Sequence, residues 1–245
     1  GTSNSYISGN KTEHSYLNDA WVIKLDSLGN ILWQNTIRAS GEDFLKGTDT
    51  TNDNGVILSI LTYSAIGMEK TVPLVGQRDS WLVKLDSLGV VQWQNVVTVP
   101  GATEVLLNDI KQVPGGGYVA VGNYNINNYT SALFRLDSLG NVLWFHNIAS
   151  SGSDYPLEVL NTTDKGFLIA YNSNGNISPW KTENALGGDD IWMVKVDSLG
   201  NYLWDNTIGG IGFESPLNMS VNAVGEIFII GTSSSPIGFD KSEMC

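Results

Sequence analysis

The sequence is short of cysteine, positive charge, histidine and long apolar runs, and each shortage closes a route to function. Its one cysteine among 245 residues is the last residue, Cys245, so no intramolecular disulfide and no thiolate metal cluster can form. A bare chain end is also a poor seat for a catalytic thiol. Thirteen Lys and Arg stand against 25 Asp and Glu, a formal charge of -12. That balance excludes the basic face that nucleic acid requires and opposes an anionic membrane surface. No run of about 18 apolar residues occurs, so no membrane insertion is expected, and the first residues lack the basic-then-apolar pattern of a signal peptide. With only His14 and His146, a His-based metal site or a Ser-His-Asp triad has too few parts. No segment sustains a helical apolar period. "PGGGY" reads as a hairpin turn, leaving no phosphate-binding glycine loop.

What the chain has is repetition. "AWVIKLDSLGNILWQNTI" from Ala20 returns as "SWLVKLDSLGVVQWQNVV", "SALFRLDSLGNVLWFHNI" and "IWMVKVDSLGNYLWDNTI". Asp26, Asp86, Asp137 and Asp197 mark the unit. A second marker is a turn followed by an apolar run: "NDNGVILSI", "PGGGYVAVG", "TDKGFLIAY" and "AVGEIFIIG". Short β-branched runs punctuated by Gly, Asp and Asn predict four strands per unit. The first begins at Asp43, Glu104, Asp154 and Glu214. Four antiparallel strands in roughly 50–60 residues is the unit of a β-propeller blade. The expected fold is therefore an all-β propeller of four-stranded antiparallel blades, closed at four or part of a larger ring. The sequence divides into a partial blade 1–37, blades at about 38–97, 98–148 and 149–208, and a partial blade 209–245.

"DSLG" has type I turn chemistry, with Asp accepting backbone N–H bonds and Gly free to take positive φ. Trp33, Trp93, Trp144 and Trp204 fall at one place in every unit, suited to packing between blades or to stacking on a sugar. The cations Lys24, Lys84, Arg135 and Lys195 precede the turn aspartates by two residues. Each is expected to bridge to that carboxylate or to lie over a tryptophan. The third unit departs from the others. It has Thr130 and Ala132 where they have Asp-x-Trp (Asp19/Trp21, Asp79/Trp81, Asp190/Trp192), and its preceding connection is shorter. The long connections of the other units read as decorations on one rim, where partners would bind.

Asp43, Glu104, Asp154 and Glu214 are the weak metal candidates. Ringed around a channel mouth they would attract a cation such as Ca²⁺, and spread out they would cap strand starts. No other cofactor is expected. The opening "GTSNS" matches "GTSSS" at Gly231, so position 1 reads as the tail of a repeat. In a four-bladed ring "EIFII" would pair with "WVIKL". The duplicated connections at the two ends favour a larger ring or arc.

The pattern D-x-W-[ILMV]-[VI]-K-[LV]-D-S-L-G-N-x-x-W, with T-D-x-G-[FY]-[LI] following, resembles the β-propeller repeats of secreted Bacteroidetes proteins, which often use type IX secretion. The resemblance covers the whole chain. It implies a secreted or cell-surface module whose partner is a protein or a glycan, and it implies no particular ligand. "Asp-Ser-Leu" is similar to the O-glycosylation signal of those bacteria, which would make Ser27, Ser87, Ser138 and Ser198 acceptors. The expected function is non-catalytic binding or scaffolding. The alternative is a carbohydrate-active enzyme with paired carboxylates at the channel mouth.

Overall fold

A computed structural model describes residues 1–15 and 17–243; Cys245 lies outside the described residues. Every regular element is a β-strand. Three sheets have four strands, each an antiparallel meander in chain order. The first holds β4 (Asp43–Thr50), β5 (Val56–Thr62), β6 (Asp79–Leu85) and β7 (Val91–Val96). The next holds β8 (Glu104–Gln112), β9 (Tyr118–Asn125), β10 (Tyr129–Leu136) and β11 (Val142–Asn147). The last holds β12 (Asp154–Asn161), β13 (Phe167–Ser173), β14 (Asp190–Val196) and β15 (Tyr202–Ile208). An incomplete sheet flanks them on each side: β1 (Thr2–Ser3), β2 (Asp19–Leu25) and β3 (Ile31–Ile37) before, β16 (Glu214–Val221) and β17 (Ile227–Ser233) after.

The sheets stack through their first strands, β4 on β8, β8 on β12 and β12 on β16. Both faces of an inner sheet are therefore covered, and the sequence answers with two-sided apolarity: every residue of β6 and of β14 is buried. Each first strand carries a bulge at one place, between Leu45 and Gly47, Leu107 and Asp109, Pro156 and Glu158, and Pro216 and Asn218. An extra residue there sharpens the local twist, so the sheets share one shape and can nest. The buried clusters lie between sheets. Trp81, for example, clusters with Leu58, Ile60 and Val83 of its own sheet, with Ala20 and Ile37 of the one before and with Ala39 of the connection between them.

Among the described residues no sheet closes into a ring. There β17 is bonded to β16, and β2 to β1 and β3, so the "EIFII"–"WVIKL" pairing that a four-sheet closure requires does not form.

Candidate functional site

The "DSLG" turn is built as its chemistry demands. Asp26 Oδ1 accepts the Leu28 and Asn30 N–H groups, both at 2.8 Å, and its Oδ2 accepts the Asn30 side-chain amide. Asp137 and Asp197 repeat this pattern. The turn glycines have φ near +80°, which glycine alone takes cheaply. They also do something the turn itself does not require. A Cβ on Gly89 would meet the Trp33 ring, on Gly140 Leu82 and the Trp93 ring, and on Gly200 His146 and the Trp144 ring. Each turn thus lies on the tryptophan of the preceding sheet. Trp33 Nε1–H donates to the Ser87 carbonyl at 2.9 Å, Asn35 to the Gly89 carbonyl at 2.8 Å and Asn95 to the Leu139 carbonyl at 3.0 Å. Trp33, Trp93 and Trp144 are half-buried in this way. Trp204 is exposed, because the sheet that follows its own has only β16 and β17 and no third-to-fourth-strand turn to lie on it.

The basic row does not bond to the turn aspartates. Lys84 reaches Asp53 at 2.8 Å and Lys195 reaches Asp164 at 2.9 Å, acids of the turn between the first and second strands. Hydrogen bonds from Lys84 and Thr51 hold the Asp53 carboxyl down at about 2, and those from Thr162 and Lys195 do the same for Asp164. The middle sheet has "PGGG" in place of that acid, and there the guanidinium of Arg135 donates to the carbonyls of Gly116, Tyr118 and Leu136. Lys24 donates to the Asn54 and Ser87 carbonyls of the next sheet. The spacing to the turn aspartate was misleading because neighbours on one strand face need not bond when a better acceptor closes over the strand end.

The long connections are not decorations. Each drives a lysine into the interior: Lys11, Lys70 and Lys181 are all buried. Their ammonium groups sit 5.2, 5.9 and 5.3 Å from the Trp21, Trp81 and Trp192 rings, a cation–π distance. Desolvation pushes all three pKa values down, opposed by the charge of Asp19 on Lys11, Asp79 on Lys70 and Asp154 on Lys181. The signal was in the sequence as Ile-(Gly/Ser)-x-x-Lys at 7–11, 66–70, 177–181 and 237–241. Ser8, Gly67 and Gly238 each bridge to the lysine three residues on. In the middle repeat, lysine, Asp and Trp are lost together: β9 and β10 are joined by residues 126–128 alone, and Ala132 stands in place of the indole.

Three of the four first-strand acids bond within their own repeats. Asp43, Asp154 and Glu214 each accept the N–H of the residue four earlier, from Ala39 at 2.7 Å, Ser150 at 2.6 Å and Gly210 at 2.9 Å. Glu104 instead pairs with Arg78 at 2.8 Å and accepts the Tyr129 hydroxyl. Desolvation works to raise the Glu104 carboxyl, and those bonds outweigh it and hold it below the usual range. Among the described residues, no group of three or more His, Cys, Asp or Glu could hold a metal ion.

The short middle repeat leaves a cleft of about 780 Å³, within the size range of small-ligand sites. Lys46 of β4, Asn108 of β8 and Tyr155 of β12 all reach it, so three successive first strands contribute. Tyr129 and Tyr155 line it half-exposed, at 51% each. Arg78 Nη2 holds the Tyr129 hydroxyl at 2.9 Å, and the Tyr155 hydroxyl lies 3.5 Å from Asn108 Oδ1. Asn123, Asn172 and Asn174 add amides. Of the four acids only Asp154 lines the cleft, and its oxygens accept from Ser150 N–H, Ser150 Oγ and Ser173 Oγ.

No protein-family model and no curated protein matches the chain. Among solved structures it is similar to a protein of unknown function from Bacteroides caccae, with a TM-score of 0.43 and 10% identity over 78% of this chain and 76% of that one. At that distance the likeness carries no functional argument.

Proposed function

We propose that the chain is an arc of β-propeller blades that works at the cell surface or in the secreted space as a non-catalytic binding module. Its ligand is an uncharged glycan held in the cleft over the middle repeat. The carrying observation is the pair of half-exposed tyrosines whose hydroxyl ends are tethered. Such rings offer flat apolar faces to a sugar at little entropic cost. The asparagines supply donors and acceptors for sugar hydroxyls. A net charge of -12 argues against an acidic polysaccharide. The two carboxylates of the cleft, Asp154 and Asp189, are engaged by neighbours, Asp154 by Ser150 and Ser173 and Asp189 by the Asn174 amide, an arrangement that supports binding over hydrolysis.

Titration calorimetry with neutral oligosaccharides tests this. A Tyr129→Ala/Tyr155→Ala variant is expected to lose at least tenfold in affinity. Binding that survives the double change, or turnover of the glycan, would refute the reading.

The turn serines support O-glycosylation as a second part of the proposal. Ser27, Ser138 and Ser198 are exposed and Ser87 is half-buried. Leu28, Leu88, Leu139 and Leu199 beside them are 55–85% exposed, so packing does not account for leucine at the tip. Protein from the native host is expected to outweigh the bare chain and to lose mass on Ser138→Ala. An unmodified mass would end the idea.

A further inference from the structure

The edge of β17 carries a vacant place in the repeat, and its chemistry says what fills it. In every complete sheet the second strand is covered by a third, in fixed register: Thr62 opposite Asp79 and Ile60 opposite Trp81, Ser173 opposite Asp190 and Tyr171 opposite Trp192. The bulge and pairing of β16 place Ser233 where Ser173 and Thr62 stand, and Gly231 where Tyr171 and Ile60 stand. Among the described residues no strand pairs with the far side of β17, and Phe228 and Ile230 are 57% and 65% exposed.

Beside this edge lies a pocket of about 290 Å³, lined by Ile191, Ile208, Ile229 and Gly231 with Glu214 and Lys241. Ile191, Ile208 and Ile229 hold the repeat positions of Ala20, Ile37 and Leu58, the residues that enclose Trp81. Lys241 holds the position of Lys181. It donates to Ser233 Oγ at 3.3 Å, as Lys181 donates to Ser173 Oγ at 3.1 Å beside the Trp192 ring. The pocket has the walls of an indole site.

The chain also displays the occupied form. Gly231-Thr232-Ser233 recurs as Gly1-Thr2-Ser3, and there Thr2 pairs with Ala20 and Ser3 with Asp19. Gly1 and Trp21 exchange both backbone hydrogen bonds, at 3.0 and 2.7 Å, with Lys11 over the ring.

We infer that β17 and its pocket form a docking site for a β-hairpin carrying Asp-x-Trp, the third and fourth strands of one more repeat of this type. The hairpin adds to the β17 edge by strand pairing and seats its tryptophan in the pocket. The occupant is not the β2–β3 hairpin of a second copy, because Gly1–Ser3 already holds the edge of that hairpin and Lys11 already covers its indole. The inference stands apart from the ligand of the cleft, and its failure would leave glycan binding untouched.

The test is a chain in which residues 242–245 are replaced by a copy of residues 182–208, so that the loop after Lys241 runs into a complete Asp-x-Trp hairpin. Hydrogen exchange of β17 amides is expected to slow at least tenfold, while β5 and β13 are unchanged. A copy carrying Trp192→Ala is expected to give little of that protection. No slowing, equal slowing with the Ala copy, or protection of β17 in the unextended chain through a concentration-dependent dimer would each overturn the inference. Should the extension disturb the host, the peptide of residues 188–208 added in trans replaces it. Failure of that peptide to bind and protect β17 counts equally against the proposal.

Discussion

Strands β6 and β2 share the sequence pattern Asp-x-Trp-apolar-apolar-Lys-Leu, yet every residue of β6 is buried while Ile23 and Leu25 of β2 are 38% and 52% exposed. β13 and β17 differ in the same way: Phe167, Leu168, Ile169 and Ala170 are buried, whereas Phe228 and Ile230 are exposed. The strand is the same object in each case. What changes is whether sheets stand on both sides of it. In a stacked-repeat protein the burial of a residue, and hence its worth, belongs to the interface more than to the repeat.

The largest break in this comparison is expected from the repeat indoles. Trp81→Ala removes a fully buried ring from between two sheets and is expected to cost about 3–5 kcal/mol. Trp21→Ala, at a half-buried position, is expected to cost about 1 kcal/mol, in line with ordinary substitutions outside the core. Urea denaturation of the two variants side by side checks it. Equal losses would mean that the sheets do not owe their stability to stacking.

The turn glycines sharpen the point on a smaller scale. Gly29 and Gly200 both have φ near +85°, but a Cβ on Gly29 meets nothing within 4 Å, while one on Gly200 would meet His146 and the Trp144 ring below 3 Å. Gly29→Ala is expected to cost only the backbone strain, about 1–2 kcal/mol. Gly200→Ala adds an overpacking cost of about 1–3 kcal/mol to that. Thermal melts that lower the two variants equally would place the strain in the turn alone.

The smallest effect concerns pH. Asp53 is held at about 2 by Lys84 and Thr51, below its unfolded value near 4. A depressed carboxylate stabilises above the unfolded pKa, and that contribution is lost as pH falls through the folded one. Stability is therefore expected to decline between about pH 4 and pH 2, and Asp53→Asn to flatten part of that slope. Because Asp53 is well exposed, solvent screening keeps the effect small. Arg135→Lys in the middle sheet, where carbonyls replace the acid, is expected to leave the slope unchanged. Denaturant midpoints across this range provide the check.

Much of this architecture was legible in one dimension. The strand starts at Asp43, Glu104, Asp154 and Glu214, the "DSLG" turns and the shortened middle repeat all depend on neighbours within a few residues, through strand period, turn hydrogen bonding and loop length. The buried lysines were legible too, since Ile-(Gly/Ser)-x-x-Lys repeats four times, but their meaning was not: a lysine in a polar connection reads as solvated until an indole is placed beneath it.

Tertiary structure alone decided where pairs meet across sheets. Lys84 finds Asp53 instead of Asp86, Gly89 lies on Trp33, and Asn108 meets Tyr155 in a cleft drawn from three first strands. These partners are 31 to 56 residues apart, and no local rule joins them. Repetition in the sequence determined the shape of one sheet, because hydrogen bonding and side-chain alternation act along and between adjacent strands. The number of sheets on either side of it, and so which indoles are covered and which edge stays open, is a property of stacking, where apolar burial depends on what arrives from elsewhere in the chain.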